Sequence, residues 1–165
     1  MSDATRTDEA VVMERQFDAP ADVVWQMWID PDEFSSWYGP NGASVYVVTW
    51  ELRVGGARLV RMTVPTPRGE MTMWFAGEFL DVVENRRLAY TEYVSDENGN
   101  PASTSASGMP KPHPTTEVRV ALSEVNGRTT MVMTHVGIPA DSPGAAGWTV
   151  AFDKLATHLR GHPAS

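Results

Sequence analysis

The sequence predicts an α+β fold in which a curved antiparallel sheet of about seven strands wraps one long C-terminal helix, with two short helices after the first strand. Three observations carry this reading. From residue 44 onward, apolar residues recur with period two in successive stretches joined by turn signals, as in hairpin-connected antiparallel strands. Near the C-terminus Trp148, Phe152, Leu155 and Leu159 recur at helical spacing and form one apolar stripe. No other stretch offers a long amphipathic helix, so this stripe must be buried on the sheet.

The elements follow in order. Residues 1–9 read as a flexible tail and 10–163 as a single domain. "AVVMERQF" is a first strand by its β-branched content, with Val12, Met13, Arg15 and Phe17 in loose alternation. In "DAPADVVWQMWIDP", Asp18 is a candidate N-cap and Pro20 suits a first turn, while Val24, Trp25 and Trp28 share helical spacing. Asp30 then caps a second short helix that starts at Pro31 and stops at Gly39-Pro40.

"SVYVVTWEL" places Tyr46, Val48, Trp50 and Leu52 on one strand face, and Gly55-Gly56 turns the chain into "ARLVRMTV". "MTMWFAGEFLDVV" aligns Met71, Met73, Phe75, Gly77 and Phe79; "LAYTEYV" aligns Leu88, Tyr90, Glu92 and Val94. Residues 95–115 are rich in Pro, Gly and Ser without a period, which predicts a mobile loop. Val118, Val120 and Leu122 lead through Asn126-Gly127, a strong hairpin signal, to Met131, Met133 and His135 on one face of the returning strand. The final helix runs from about Ser142 to Leu159, and Gly161 and Pro163 end it.

Composition excludes several function classes. A chain of 165 residues is long enough for one domain with a real core. A net charge of −8, without a basic cluster, repels nucleic acid and anionic membrane surfaces, so neither is an expected partner. There are no cysteines, which excludes disulfides and thiolate chemistry and fits a cytoplasmic location. The polar N-terminus lacks the apolar core of a signal peptide, and no apolar run reaches the ~20 residues of a membrane helix.

Seven segments in order carry a resemblance: "FDAPADVVW", "IDP…WYGPNG", "ELRVGG", a strand with Gly77, "RLAYT", "TTMVMTH" and "GW…FDKL". Together, over roughly residues 10–160, they resemble the SRPBCC, or START-like, superfamily. More narrowly, the chain is similar to the bacterial proteins related to the C-terminal domain of the activator of the heat-shock-protein-90 ATPase. The resemblance implies a helix-grip fold, like the birch-pollen allergen, with a cavity between the sheet and the long helix. It does not imply one activity, since superfamily members carry lipids, bind hormones, cyclise polyketides or assist chaperones. The chain departs from the pattern at Tyr38, where a second tryptophan is frequent, at Arg58, near a position often aromatic, and in the length of the loop at 95–115.

The cavity candidates are Trp28, Trp37, Tyr38, Trp50, Phe75, Tyr90, Glu92, Met133, His135, Trp148 and Phe152. Trp37 and Tyr38 stand at a chain break, where they either gate the cavity mouth or plug the end of the barrel as core. His135 would face inward with Met131 and Met133, either as an acid, base or ligand contact or as a hydrogen-bonded wall residue. An inward Glu92 is costly unless paired. Arg58 is one partner; a place near the strand end, reaching water, is the alternative. Trp25 and Trp148 are expected to anchor helices to the sheet. Trp74 points outward and suggests a homodimer surface.

Glu51 and Arg53 before Gly55-Gly56 read as an ion pair at the sheet edge. His158 and His162 are four residues apart, but Gly161 and Pro163 disrupt the turn and no HExxH surrounds them. No metal and no cofactor is therefore expected, and His113 in "PKPHP" reads as surface. No GxSxG elbow or phosphate-binding glycine loop occurs. Three function classes follow: binding of a small apolar or aromatic molecule in the cavity; a co-chaperone-like interaction with an ATPase; and a cyclase or hydrolase using His135 or Glu92. The first is the leading expectation.

Overall fold

Period-two alternation resolves into seven strands, all paired antiparallel in one sheet. The computed structural model describes residues 10–100, 115–138 and 143–160. The order along the chain is β1 (Ala10–Phe17), α1 (Ala21–Ile29), α2 (Pro31–Trp37), β2 (Ser44–Trp50), β3 (Ala57–Thr66), β4 (Gly69–Val83), β5 (Arg87–Ser95), β6 (Thr116–Val125), β7 (Arg128–Val136) and α3 (Pro143–Arg160). In space the strands run β1-β7-β6-β5-β4-β3-β2, so β1 and β2 form the two edges. The curved sheet and the C-terminal helix stand as the sequence predicts. The expected tail at 1–9, most of the loop at 95–115, and His113 and His162 lie outside the described residues.

The core is where the strand faces meet α3. Val118, Val120, Met131 and Met133 from β6 and β7 face Trp148, Ala151, Phe152 and Leu155 of the helix, all buried. Asn126 and Gly127 both take positive φ in the β6–β7 turn, as the Asn-Gly signal requires. Gly77 is needed for another reason: a Cβ there would stand 1.9 Å from the Thr91 carbonyl oxygen of the neighbouring strand. Polar ties fix the helix to the rest. Arg15 on β1 pairs with Asp153 at 3.0 Å, His158 meets Glu33 of α2 at 2.9 Å, and Lys154 donates to the Pro40 carbonyl at 3.1 Å. No helix among the described residues is long and apolar enough to cross a membrane.

Two local expectations are corrected. On β2, Tyr46 and Val48 point outward and are 58% and 45% exposed, whereas Val45, Val47, Trp50 and Leu52 pack on the core. A bulge between Val47 and Thr49 makes the difference: one extra residue, Val48, reverses the facing of all that follows. Asp18 does not cap α1, whose N-cap is Pro20 with no side-chain hydrogen bond. Instead the Ala21 amide donates to Glu124 Oε1 of β6 at 2.7 Å, so a distant strand satisfies the helix start. Asp30 does cap α2, accepting from the Asp32 and Glu33 amides at 2.9 and 3.3 Å.

Candidate functional site

The aromatic residues gathered by α1, α2 and α3 fill most of the space between helix and sheet. Trp28 lies at their centre, with ring centroids of Trp37, Trp148 and Phe152 at 4.9, 6.0 and 6.2 Å. Trp28, Trp37 and Phe152 are fully buried. Their polar atoms are partnered: Trp28 Nε1 points to Met131 Sδ at 3.3 Å, Trp37 Nε1 donates to the Met27 carbonyl at 3.0 Å and Trp50 Nε1 to the Ile29 carbonyl at 2.8 Å. Satisfied donors inside an aromatic cluster are the mark of packing.

Beside this cluster a cleft of about 180 Å³ remains between α3 and the sheet, lined by Tyr38, Gly39, Pro40, Met62, Phe75, Glu92, His135, Gly147, Trp148 and Ala151. A second hollow of about 180 Å³ shares Phe75, Glu92 and His135 with it as a common wall. Of the candidate residues, Tyr38, Phe75, Glu92, His135 and Trp148 therefore come together at one opening. Trp28, Trp37, Trp50, Tyr90, Met133 and Phe152 do not line it. A larger hollow of about 640 Å³ lies by the β4–β5 turn, between Glu84–Arg87 and Ala121–Glu124. Apart from buried Ala21 and Leu122 its lining residues are exposed or half-buried, and none is a buried ionisable group, so the smaller cleft is the better candidate site.

The neighbours Trp37 and Tyr38 part company at the end of α2. Trp37 is the last helical residue and turns into the core. Tyr38 is the C-cap in extended conformation, and Gly39 follows with φ of +88°. That break sends the Tyr38 ring against Phe34, stacked at 4.4 Å, and its hydroxyl onto Glu92 Oε2 at 2.9 Å. Burial, with the Glu92 charge beside it, pushes the Tyr38 hydroxyl well above its ordinary pKa, so it stays protonated and donates.

Glu92 does not reach water from its strand end, as the alternative reading allowed; it is 8% exposed and pairs with Arg58 Nη1 at 3.6 Å from Oε2. Arg58 shares the inward face of β3 with Val60 and Met62 and is wholly buried. Its guanidinium lies over the Tyr90 ring at 3.8 Å, with Trp50 and Phe34 at 5.4 and 5.8 Å. Among the described residues none of its three nitrogens has a hydrogen-bond acceptor, nor has the Tyr90 hydroxyl a partner. The cation is thus held by aromatic faces and one carboxylate.

His135 is partnered on both sides. Trp148 Nε1–H donates to Nδ1 at 2.9 Å, and Nε2 stands 2.8 Å from Thr116 Oγ1, whose hydroxyl donates to the Glu92 carbonyl at 3.2 Å. Since Nδ1 accepts, the network assigns a neutral ring protonated at Nε2. Burial lowers the His135 pKa, with Glu92 opposing more weakly. The folded chain therefore refuses a proton that the unfolded chain takes up below about pH 6.5. Stability is full above that value and falls as pH drops toward the lower folded value. We expect the thermal midpoint to decline between pH 7.5 and 5.5 more steeply in the wild type than in His135→Asn, whose amide oxygen still accepts from Trp148; equal declines would contradict the assignment.

Elsewhere, Arg53 pairs with Glu51 at 3.5 Å, exposed, at the β2–β3 turn. Trp74 is half-buried on the outer face beneath Arg61, whose guanidinium lies 5.9 Å from its ring. No group of three or more candidate metal ligands occurs among the described residues. The Arg58–Glu92 pair is one of the two readings the sequence offers for Glu92; Met62, Thr116 and Gly147 are the cleft residues it does not single out, because register and helix packing bring them there.

A seven-stranded antiparallel sheet closed on one C-terminal helix, with short helices after the first strand, defines the helix-grip class. Within it, the chain belongs to the family described as Activator of Hsp90 ATPase homolog 1-like protein, which it matches over residues 18–160. Among solved structures it is similar to a protein of Arthrobacter aurescens (TM-score 0.76, 21% identity, 94% of this chain and 88% of that one). It is likewise similar to a protein of Chromobacterium violaceum (0.73, 21%, 92% and 96%) and to the AHSA1 protein of Silicibacter pomeroyi (0.72, 18%, 93% and 99%). At these identities the likeness is one of fold. No curated protein matches the chain.

Proposed function

We propose that the chain binds a small apolar or aromatic molecule in the cleft between α3 and the sheet. The observation that carries this reading is the convergence of Met62, Phe75, Trp148 and Ala151 with Tyr38, Glu92 and His135 around one opening in an otherwise filled core. Apolar walls with a few placed polar groups are the usual make-up of a small-molecule site. The volume suits one aromatic ring: an engineered apolar cavity of about 150 Å³ is enough to hold benzene. A larger ligand would project past Tyr38 and Pro40 at the rim.

Gly147 offers a test that separates binding from folding. It lies on α3 at the cleft wall, and a Cβ there would meet nothing within 4 Å. Gly147→Ala should stabilise the helix by about 0.5–1 kcal/mol. Gly147→Leu extends into the cleft. It should weaken binding of the single-ring probe para-xylene, titrated calorimetrically, at least tenfold, with a thermal midpoint at or above that of the wild type. Unchanged affinity in a folded Gly147→Leu protein would place the binding elsewhere and remove this reading.

A further inference from the structure

The binding reading leaves the polar end of the ligand open, and the three ionisable groups at the cleft narrow it. Tyr38 commits its proton to Glu92 Oε2, and His135 commits both ring nitrogens. Glu92 is different. Both of its described partners, the Tyr38 hydroxyl and Arg58, meet Oε2. Among the described residues none donates to Oε1, although the side chain lines both hollows and is nearly buried. An ionised carboxylate offers about four lone-pair positions, and Oε1, which is not among the buried atoms without a partner, keeps accessible surface where a ligand donor can take the place of water. Resting on the reading above, we propose that the ligand is a neutral hydroxylated aromatic molecule whose hydroxyl donates to Glu92 Oε1.

Neutrality follows from the charges already present. Arg58 stands 3.6 Å behind Glu92 and balances it, enclosed by Tyr90, Trp50 and Phe34. An ammonium ligand would gain from Glu92 but bring a second cation close to a guanidinium that has no room to move away. A carboxylate ligand would meet Glu92 first, because Arg58 does not reach the cleft wall. Either ion would also be desolvated into a site whose own charges already cancel. A hydroxyl needs no counter-charge and supplies a donor to Oε1. The ring it sits on would lie among Trp148, Phe75 and Met62, where offset or edge contacts with the indole are favourable.

Four probes of one shape separate the cases: para-cresol, para-xylene, para-toluate and para-methylbenzylamine, each titrated calorimetrically into the wild type. Para-cresol is expected to bind at least tenfold more tightly than the other three, which is about 1.4 kcal/mol. In the double variant Arg58→Met/Glu92→Gln, both charges are removed and Tyr38 keeps an acceptor. There the preference for para-cresol over para-xylene should shrink below about threefold while para-xylene still binds. Tyr38→Phe, which removes the hydroxyl at Oε2 and leaves Oε1 as it is, should keep the preference at or above the wild-type level. The proposal is overturned if para-xylene or either ion binds as tightly as para-cresol, if the double variant keeps the full preference, or if Tyr38→Phe loses it. Those results would leave the cleft as a binding site. If none of the four probes binds, the binding reading falls, and this inference with it.

Discussion

Glu92→Gln should destabilise the fold by about 3 kcal/mol or more, although it changes neither volume nor the acceptor for Tyr38. The reason is what it leaves behind: Arg58, with no exposed side-chain surface and, among the described residues, no hydrogen-bond acceptor and no other close counter-charge, would lose the Glu92 carboxylate. Breaking a buried ion pair from one side typically costs about 3–5 kcal/mol, whereas replacing both members is often neutral or stabilising. Arg58→Met/Glu92→Gln should therefore recover most of the loss, and the double-mutant cycle should show strong coupling. The aromatic faces of Tyr90, Trp50 and Phe34 soften the penalty without removing it, since each cation–π contact contributes about 0.5–2 kcal/mol. Urea unfolding of the four proteins measures the cycle. A single-variant loss below about 1 kcal/mol, or two losses that simply add, would show that the pair carries no such burden.

Phe152→Ala is the second large effect, expected to cost about 3–5 kcal/mol in urea unfolding. Phe152 is fully buried and sits among Trp28, Trp37 and Trp148, with ring centroids at 6.2, 6.1 and 5.3 Å. Arg15 of β1 covers it from the other side at 5.9 Å. The three rigid indoles left around it cannot close the vacated space, so the cavity term adds to the lost transfer energy. The stripe to which Phe152 belongs joins α3 to the sheet, so the loss falls on the whole fold. A cost below about 1 kcal/mol would mean that α3 is not held by this stripe.

The strands and the long helix were legible because their signals are periodic and local. Val118, Val120 and Leu122 alternate whatever the rest of the chain does, and the spacing from Trp148 to Leu159 names its own face. Where the reading failed, a long-range contact or a single inserted residue decided. The bulge at Val48 reversed the facing of β2, and β-branched residues on both sides of it hid the change of parity. The cap of α1 comes from Glu124, about a hundred residues away, which no local rule for Asp18 could anticipate.

The site was legible only in part, for the same reason. That Arg58 and Glu92 both face inward follows from their strand neighbours. That they meet depends on sheet register and on the space left by Tyr90. The adjacent pair Trp37 and Tyr38 could be read as gate or as plug, and the chain divides the roles. The helix carries Trp37 into the core, and the extended cap carries Tyr38 to Glu92.

A ligand bound as proposed lies against α3 beside Trp148. The most direct measurement follows the indole N–H resonances of the six tryptophans while para-cresol is added to nitrogen-labelled protein. Trp148 lines the cleft and donates to His135, so its resonance should move most, and saturably, while that of Trp74 on the outer face stays in place. A Trp148 resonance that stays fixed through the titration, whether or not another indole moves, would mean that no ligand lies against this wall of α3.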